Sequence, residues 1–318
     1  MKKFRYIIYI LLLLTFMVLL ILNPSSNMVA FGTGLNIWAN KVVPALFPFM
    51  VLTMMLAKTP LVTQIGQAMS RITRKMYGIS GNSTFAILMS VISGYPTGAR
   101  TCAMLYNTKQ ITKEDAIRTM SVASTSGPLF ILGTVGAGMI KNMQIGVIIL
   151  ISHILGSCIN GLIYKGKYKS SSTICSIQTN TITISDIISS ACSTMLVIGG
   201  YISMCMVAIN ALSDIGLLKL AMTTMEHIGV SPLATQGIVM GIIEVTCGCN
   251  VIGTLQNPII ITSICTALIS FGGLCIHMQC MTFAKDFDMK YGQFLIQKIT
   301  HCIIATVISV VMGIIIFT

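Results

Sequence analysis

Apolar stretches alternate with short polar segments along the whole chain of 318 residues. A transmembrane helix needs about 20 mostly apolar residues, and these stretches lack the polar and apolar alternation of a β-barrel strand. We therefore predict an all-α polytopic membrane protein with about seven transmembrane helices. The predicted spans lie at residues 6–22, 43–57, 121–140, 143–164, 187–212, 257–278 and 294–318.

Two further apolar segments, residues 82–106 and 230–254, are interrupted by polar residues and glycines. The first contains the run Ser93-Gly94-Tyr95-Pro96-Thr97-Gly98-Ala99-Arg100. Backbone groups without hydrogen-bond partners cost several kcal/mol each in hydrocarbon, so such a break must be buried in protein or line a watery cavity. We predict that both segments are re-entrant helical hairpins.

The pattern repeats along the chain. Ser93 in the first broken segment and Glu244 in the second are 151 positions apart, as are Phe47 and Ile198 in two of the spans. We predict four regions. They are an N-terminal transmembrane helix with an interfacial helix (1–42), a first repeat with hairpin 82–106 (43–164), a cytoplasmic linker (165–186) and a second repeat with hairpin 230–254 (187–318).

Positive charge sets the expected orientation, because short cytoplasmic loops are enriched in Lys and Arg. With both broken segments as hairpins, 17 of the 20 basic residues lie on the cytoplasmic side with the N-terminus, and only Lys41, Lys141 and Lys219 do not. In this topology the two halves are inverted, which is the layout of secondary transporters. The cytoplasmic set includes Arg100, the lysines from Lys165 to Lys169, and Lys298.

Composition argues against a large soluble domain, nucleic-acid binding and a metal site. The chain is 54% hydrophobic and 9% charged, with a mean hydropathy of +0.87, so it has no room for a sizeable soluble domain. The net charge of +12 does not indicate nucleic-acid binding, because the basic residues lie in short loops between apolar segments. The eleven cysteines and four histidines show no metal-ligand spacing, so we expect no metal and no cofactor.

Glu244 is the acid that lies within an apolar segment, residues 237–245. A charged carboxylate at the centre of a bilayer costs about 2.5–3.5 kcal/mol on insertion scales, so an acid there is a functional candidate. Glu244 would carry a proton, bind a cation or contact the substrate. The alternative is a carboxylate that reaches water at a hairpin tip.

Arg100 follows the first break, and a guanidinium binds carboxylates through two parallel hydrogen bonds. It suits an anionic substrate, or it would pair with Glu244 across the two repeats. The alternative is an ordinary cytoplasmic residue at the end of the hairpin.

Hydroxyl, amide and glycine residues at the breaks supply donors and allow close approach of the backbone. Each alone has a structural explanation, and their recurrence at breaks is what favours a ligand. The candidate substrate-binding residues are Ser93, Gly94, Tyr95, Thr97, Gly98, Arg100, Ser124, Thr125, Ser126, Glu244, Thr246, Asn250 and Asn257. The sequence has no hydrolase elbow, Walker loop or nucleotide fingerprint, so we expect no enzyme and no ATPase.

Three motifs together resemble the family of sporulation integral membrane proteins called YlbJ. They are Ser93–Ala99, Ser126–Gly133 and the run Ser270-Phe271-Gly272-Gly273-Leu274-Cys275-Ile276-His277-Met278-Gln279. The family belongs to the nucleoside recognition or Gate-domain group, which is similar to concentrative nucleoside transporters. The resemblance implies a protein of a spore-forming bacterium, made in the mother cell, that moves dipicolinate across the outer forespore membrane.

Three functions stay open at this point. The first is a secondary transporter of a small anionic solute, dipicolinate, with H+ or Na+ as the coupling ion. The second is a transporter of nucleosides or other small solutes, and the third is a non-transporting scaffold for spore maturation. The expected partners are the solute, membrane lipid and other copies in a homo-oligomer.

Overall fold

A computed structural model describes residues 2–166, 183–227 and 229–318, and within these ranges the chain forms helices and no strand. Two segments are wound as π-helices, Trp38–Val42 and Leu129–Ile140, and Lys285–Phe287 is a 3-10 turn. The α-helices are α1 (Lys2–Leu22), α2 (Pro24–Ile37), α3 (Val43–Leu56), α4 (Leu61–Tyr77), α5 (Ser83–Ser93), α6 (Thr97–Asn107), α7 (Lys113–Met120), α8 (Met143–Ile163), α9 (Ile184–Asp214), α10 (Leu217–Glu226), α11 (Pro232–Ile243), α12 (Val245–Ile252), α13 (Pro258–Phe271), α14 (Gly273–Ala284) and α15 (Tyr291–Phe317).

Within these described ranges, five helical segments are long and apolar enough to cross a membrane, which confirms the predicted class of all-α polytopic membrane protein. Shorter apolar helices supply the hairpin arms Ser83–Ser93 and Pro232–Ile243 and two further segments, Tyr6–Leu22 and Leu129–Ile140. The five long segments are Pro24–Leu56, Met143–Ile163, Ile184–Asp214, Pro258–Phe287 and Tyr291–Phe317.

Both broken segments fold as antiparallel helical hairpins. In the first hairpin (α5 and α6), a Cβ added to Gly98 would lie 2.7 Å from the Cβ of Ser90, so the arms touch. In the second hairpin (α11 and α12), a Cβ on Gly248 would lie 2.3 Å from the Cα of Gly241. Contacts this close leave no space for a larger residue, so the glycines allow the arms to pack backbone to backbone.

A broken helix follows each hairpin and packs against its tip. After the first hairpin, residues 121–128 separate α7 from the π-helix, and a Cβ on Gly94 would lie 2.4 Å from the nitrogen of Gly127. After the second hairpin, Gly272 separates α13 from α14, and a Cβ on Gly273 would lie 2.9 Å from the carbonyl oxygen of Gly241. The sequence showed this second break only as a glycine pair near the end of a span.

Two large apolar clusters hold these parts together. One surrounds the first hairpin and includes Phe85 of α5 and Phe294 of α15, both without exposed surface. The other joins the π-helix, α8, α12 and α13 through residues such as Ile131 and Cys265. Lipid tails are as apolar as these side chains, so the clusters stabilise the hairpins through close van der Waals packing.

The segment before the first hairpin differs from the expected interfacial helix. Residues 24–56 form one long apolar helix, because the π-helical segment Trp38–Val42 joins α2 directly to α3. The indole nitrogen of Trp38 donates a hydrogen bond to the carbonyl oxygen of Met195 at 2.8 Å. Trp38 therefore packs against α9, where its polar group has a protein partner.

Two other predictions concern the polar segments of the second half. Residues 167–182 of the expected linker lie outside the described residues, so most of the predicted cytoplasmic loop from Lys165 to Lys169 does too. Near the C-terminus, α15 begins at Tyr291 and so includes residues 291–293, which precede the predicted span 294–318.

Candidate functional site

The polar breaks of both halves line one cavity, here called the central cavity. The tip of the first hairpin, the break before the π-helix, the start of α12 and the first turns of α14 all contribute to it, and α3 and α9 close the remaining sides. Ile198 and Phe130 are among its apolar walls. Of the predicted substrate-binding residues, it brings together Ser93, Gly94, Tyr95, Ser126, Glu244 and Thr246.

Glu244 is both the end of α11 and the N-cap of α12. Its side chain is 4% exposed, and its two oxygens accept hydrogen bonds from the Thr246 hydroxyl at 2.9 Å and from the Cys247 backbone N–H at 2.8 Å. An acid at a helix N-terminus pairs with free N–H groups and the positive end of the helix dipole. This explains how a carboxylate is held at a break inside apolar surroundings.

The first hairpin tip is held by Lys298 of α15. Its ammonium group donates hydrogen bonds to the hydroxyl of Tyr95 and, at 2.9 Å, to the carbonyl oxygen of Ser124. The nitrogen also lies 4.7 Å from the centre of the Tyr95 ring. Lys298 therefore connects the hairpin tip to the break that follows α7.

Lys298 was counted among the basic residues of the cytoplasmic segments, but it is buried within a helix. Its side chain is 1% exposed, because α15 begins at Tyr291 and places Lys298 two turns inside the helix. The two groups that accept its hydrogen bonds, the hydroxyl of Tyr95 and the carbonyl oxygen of Ser124, are both neutral. Buried charges are normally paired, and this arrangement marks Lys298 as a candidate functional residue.

Two histidines, His153 and His301, fix the break at residues 121–128 through hydrogen bonds. The backbone N–H of Ser126 donates to Nε2 of His153 at 2.8 Å, so the other ring nitrogen carries the proton and donates to the hydroxyl of Ser270 at 2.8 Å. Nε2 of His301 donates to the carbonyl oxygen of His153 at 2.9 Å. In the described ranges, no three His, Cys, Asp or Glu side chains form a group suited to a metal ion.

Several predicted site residues stabilise the breaks instead of lining the central cavity. The hydroxyl of Thr125 bonds to the hydroxyl of Ser90 at 2.9 Å, and Gly98 packs against the carbonyl of Ala123. Ser124 is buried and its carbonyl is the acceptor for Lys298. These residues fix the position of the first hairpin tip.

The remaining predicted residues lie elsewhere. Arg100 lines a second cavity, and its Nη2 donates to the hydroxyl of Ser190 at 2.8 Å, so it does not pair with Glu244. Asn250 is exposed on α12. Asn257 is the N-cap of α13, where its side-chain oxygen accepts from two backbone N–H groups at 2.9 and 3.1 Å.

Three polar residues at or beside the central cavity were not predicted as site residues. Lys41 and Gln279 line it, and Lys298 contacts its Tyr95. The sequence carried a signal for two of them. Lys41 was among the few basic residues on the non-cytoplasmic side, and Gln279 ends the third motif. Lys298 gave no such signal. It lies near the start of the predicted span 294–318, where a basic residue is common at the boundary of a cytoplasmic segment.

Comparison with known proteins confirms the resemblance noted in the motifs. The chain is 25% identical to the sporulation integral membrane protein YlbJ of Bacillus subtilis (strain 168), over 90% of this chain and 77% of that protein. No family model matches the chain. Among solved structures, that of CNTnw in an inward-facing substrate-bound state covers 91% of this chain, with 86% of its own chain covered, 14% identity and a TM-score of 0.48.

Proposed function

We propose that this protein is a secondary transporter that moves dipicolinate across the outer forespore membrane of a spore-forming bacterium. The observation that carries the proposal is the convergence of both hairpins and both broken helices on the central cavity. Interrupted helices at membrane depth are tolerated where they are buried in protein or line a watery cavity. Paired breaks of this kind are the usual solute sites of secondary transporters.

The chemistry of the central cavity supports coupling to H+. Glu244 and Lys41 give it one charge of each sign. Protonation of Glu244 would leave the cavity with a net positive charge, which favours an anion, and release of the proton would favour its departure. Because both oxygens of Glu244 accept hydrogen bonds within its own hairpin, a proton there also loosens the cap of α12.

Two further observations support dipicolinate as the solute. The chain is similar to a sporulation protein over most of its length. The cavity also offers a donor for a planar carboxylate, since the hydroxyl of Ser93 is buried without a partner among the described residues. We propose that the protein lies in the mother-cell membrane around the forespore, with its N-terminus in the cytoplasm.

A nucleoside or other neutral solute is the second candidate function. It is favoured by the cavity's neutral hydrogen-bonding side chains, Ser93, Thr246 and Gln279, and by the carboxylate of Glu244, which can accept a hydrogen bond from a solute hydroxyl. The scaffold hypothesis requires no solute in this cavity at all.

Uptake by sealed proteoliposomes tests the proposal. Terbium is trapped inside, dipicolinate is added outside, and luminescence of the internal complex reports transport. We expect uptake with the wild-type protein that exceeds the leak of protein-free liposomes, responds to a pH gradient and is unaffected by excess uridine. Inhibition by uridine would favour the nucleoside function, and no uptake of either solute by folded protein would contradict transport.

A further inference from the structure

A second cavity of about 370 Å³, here called the Arg100 chamber, is lined in part by helices that also line the central cavity. It is lined by α3, α6, α9 and α14 with the 3-10 turn that follows it. The residues that matter for its chemistry are Lys58, Thr97, Arg100, Asn107, Ser190 and Asp286. Neither Glu244 nor Lys41 lines it, so the two cavities differ in their charged groups.

Two donors in the Arg100 chamber lack partners. Nη2 of Arg100 bonds to Ser190, but Nη1 is buried and has no hydrogen-bond partner among the described residues. The hydroxyl of Thr97, a side chain 1% exposed, likewise has none. Thr97 and Arg100 are three residues apart on α6, which places them on the same face of the helix. Buried donors of this kind are almost always satisfied, so the presence of two on one face of α6 in this lining indicates a missing acceptor.

The charges of the chamber favour an anion. Its lining includes two basic residues, Lys58 and Arg100, and one acid, Asp286. The carboxylate of Asp286 accepts a hydrogen bond from Asn107 at 3.0 Å and forms no ion pair with either basic residue in the described structure. A guanidinium edge with a neighbouring hydroxyl matches the geometry of a carboxylate.

The Arg100 chamber also lies in line with the central cavity. Along α14, the lining residues pass from Gln279 in the central cavity to Asp286 in the chamber. Along α9, which runs the opposite way, they pass from Ile198 to Ser190. At 1.5 Å per residue, these steps correspond to about 10 and 12 Å. The two cavities are therefore about two helical turns apart along helices that line both.

We propose that the Arg100 chamber is a second binding station for a carboxylate anion, held by Nη1 of Arg100 and the hydroxyl of Thr97. The station rests on the proposed function, because we assign it to the same solute on its way to or from the central cavity. It goes beyond that function in requiring two bound anions per chain.

Equilibrium binding of dipicolinate to the full-length protein in lipid nanodiscs tests this proposal, with stoichiometry measured by calorimetry. We expect two sites per chain in the wild type. Arg100→Gln should weaken one site by about tenfold or more, since a charge-assisted pair is lost, and leave the other unchanged. Thr97→Val should weaken the same site less. The matched control is Arg71→Gln, which removes the same charge from an exposed position on α4.

The outcomes separate this proposal from the transport function. One site in the wild type, with affinity unchanged in Arg100→Gln, would overturn the second station and leave transport intact. Absence of dipicolinate uptake by wild-type proteoliposomes would overturn the transport function instead. If Arg100→Gln does not fold, Arg100→Lys replaces it, because lysine keeps the positive charge but lacks the planar guanidinium group. Unchanged binding at both sites in Arg100→Lys and in Thr97→Val would also contradict the proposal.

Discussion

The tip of the first hairpin is held by a cation from another helix, whereas the tip of the second is capped by its own carboxylate. Lys298 reaches Tyr95 and Ser124 from α15, so the first tip depends on a contact between distant parts of the chain. Glu244 bonds to Thr246 and Cys247, which are its neighbours in sequence. The first tip is therefore fixed by tertiary structure, whereas the second is fixed locally.

This comparison assigns different roles to the two halves of the central cavity. A tip fixed from outside provides a rigid wall against which a solute is held. Under the proposed coupling to H+, a tip capped by the Glu244 carboxylate would change its hydrogen bonds when that carboxylate gains a proton. The account predicts that substitutions at the first tip act mainly on stability and that substitutions at the second act mainly on the pH dependence of uptake.

The largest effect is expected for Gly94→Ala at the first tip. Gly94 has φ 82° and ψ −165°, a conformation that is essentially restricted to glycine and costs other residues about 1–3 kcal/mol. The new methyl group would also lie 2.4 Å from the nitrogen of Gly127. We expect a large fall in the thermal unfolding midpoint and loss of uptake.

The control for this change is Gly200→Ala on α9, where nothing lies within 4 Å of the added carbon. Alanine in a helix is more favourable than glycine by roughly 0.5–1 kcal/mol, so its stability should not fall. Equal unfolding midpoints for Gly94→Ala and the wild type would contradict the rigid first tip.

An intermediate effect is expected for Lys298→Met. The carbonyl oxygen of Ser124 and the hydroxyl of Tyr95 lose their donor, and an unsatisfied buried group costs about 1–3 kcal/mol. Removal of a buried charge offsets part of this loss. Thermal unfolding in detergent should show a lower midpoint for Lys298→Met and no change for Lys285→Met, which alters an exposed lysine before α15. A midpoint for Lys298→Met at or above that of the wild type would show that the first tip does not depend on this contact.

The smallest effect on stability is expected for Glu244→Gln. The amide oxygen still accepts one of the two hydrogen bonds, so the weakened cap should cost about 1 kcal/mol or less. Uptake should nevertheless lose its response to a pH gradient, because the glutamine side chain does not take up a proton. Uptake in proteoliposomes at several external pH values measures this, and a wild-type pH response in Glu244→Gln would remove Glu244 from the coupling mechanism.

The hairpins were predictable because their signals are local. Glycine and polar residues interrupt apolar sequence at Ser93–Arg100 and at Glu244, and the cost of unpaired backbone in hydrocarbon dictates that such breaks are buried. The sequence placed Glu244 at the second break, whereas its role as the N-cap of α12 is seen in the structure. The break at Gly272 was missed because the apolar character continues through it, and two glycines alone do not show whether a helix ends.

The contacts between distant segments were not predictable from the same patterns. A lysine near the start of an apolar helix resembles a cytoplasmic residue, so the burial of Lys298 required knowledge of where α15 begins. Arg100 was predicted to contact an anionic substrate or Glu244, and its Nη2 donates to the hydroxyl of Ser190 on α9 and not to Glu244. Such choices depend on how helices pack, which a single sequence records only weakly.

The most direct test of the account is whether the solute occupies the central cavity. Ala45, a small and half-buried residue of its wall, is replaced in the variant Ala45→Cys, and the rate of thiol alkylation is measured by peptide mass spectrometry with and without dipicolinate. The exposed native Cys192 in the same molecule serves as an internal control. We predict that dipicolinate slows alkylation at position 45 and leaves Cys192 unchanged. Equal alkylation rates at position 45 with saturating dipicolinate and without it would contradict binding of dipicolinate in the central cavity.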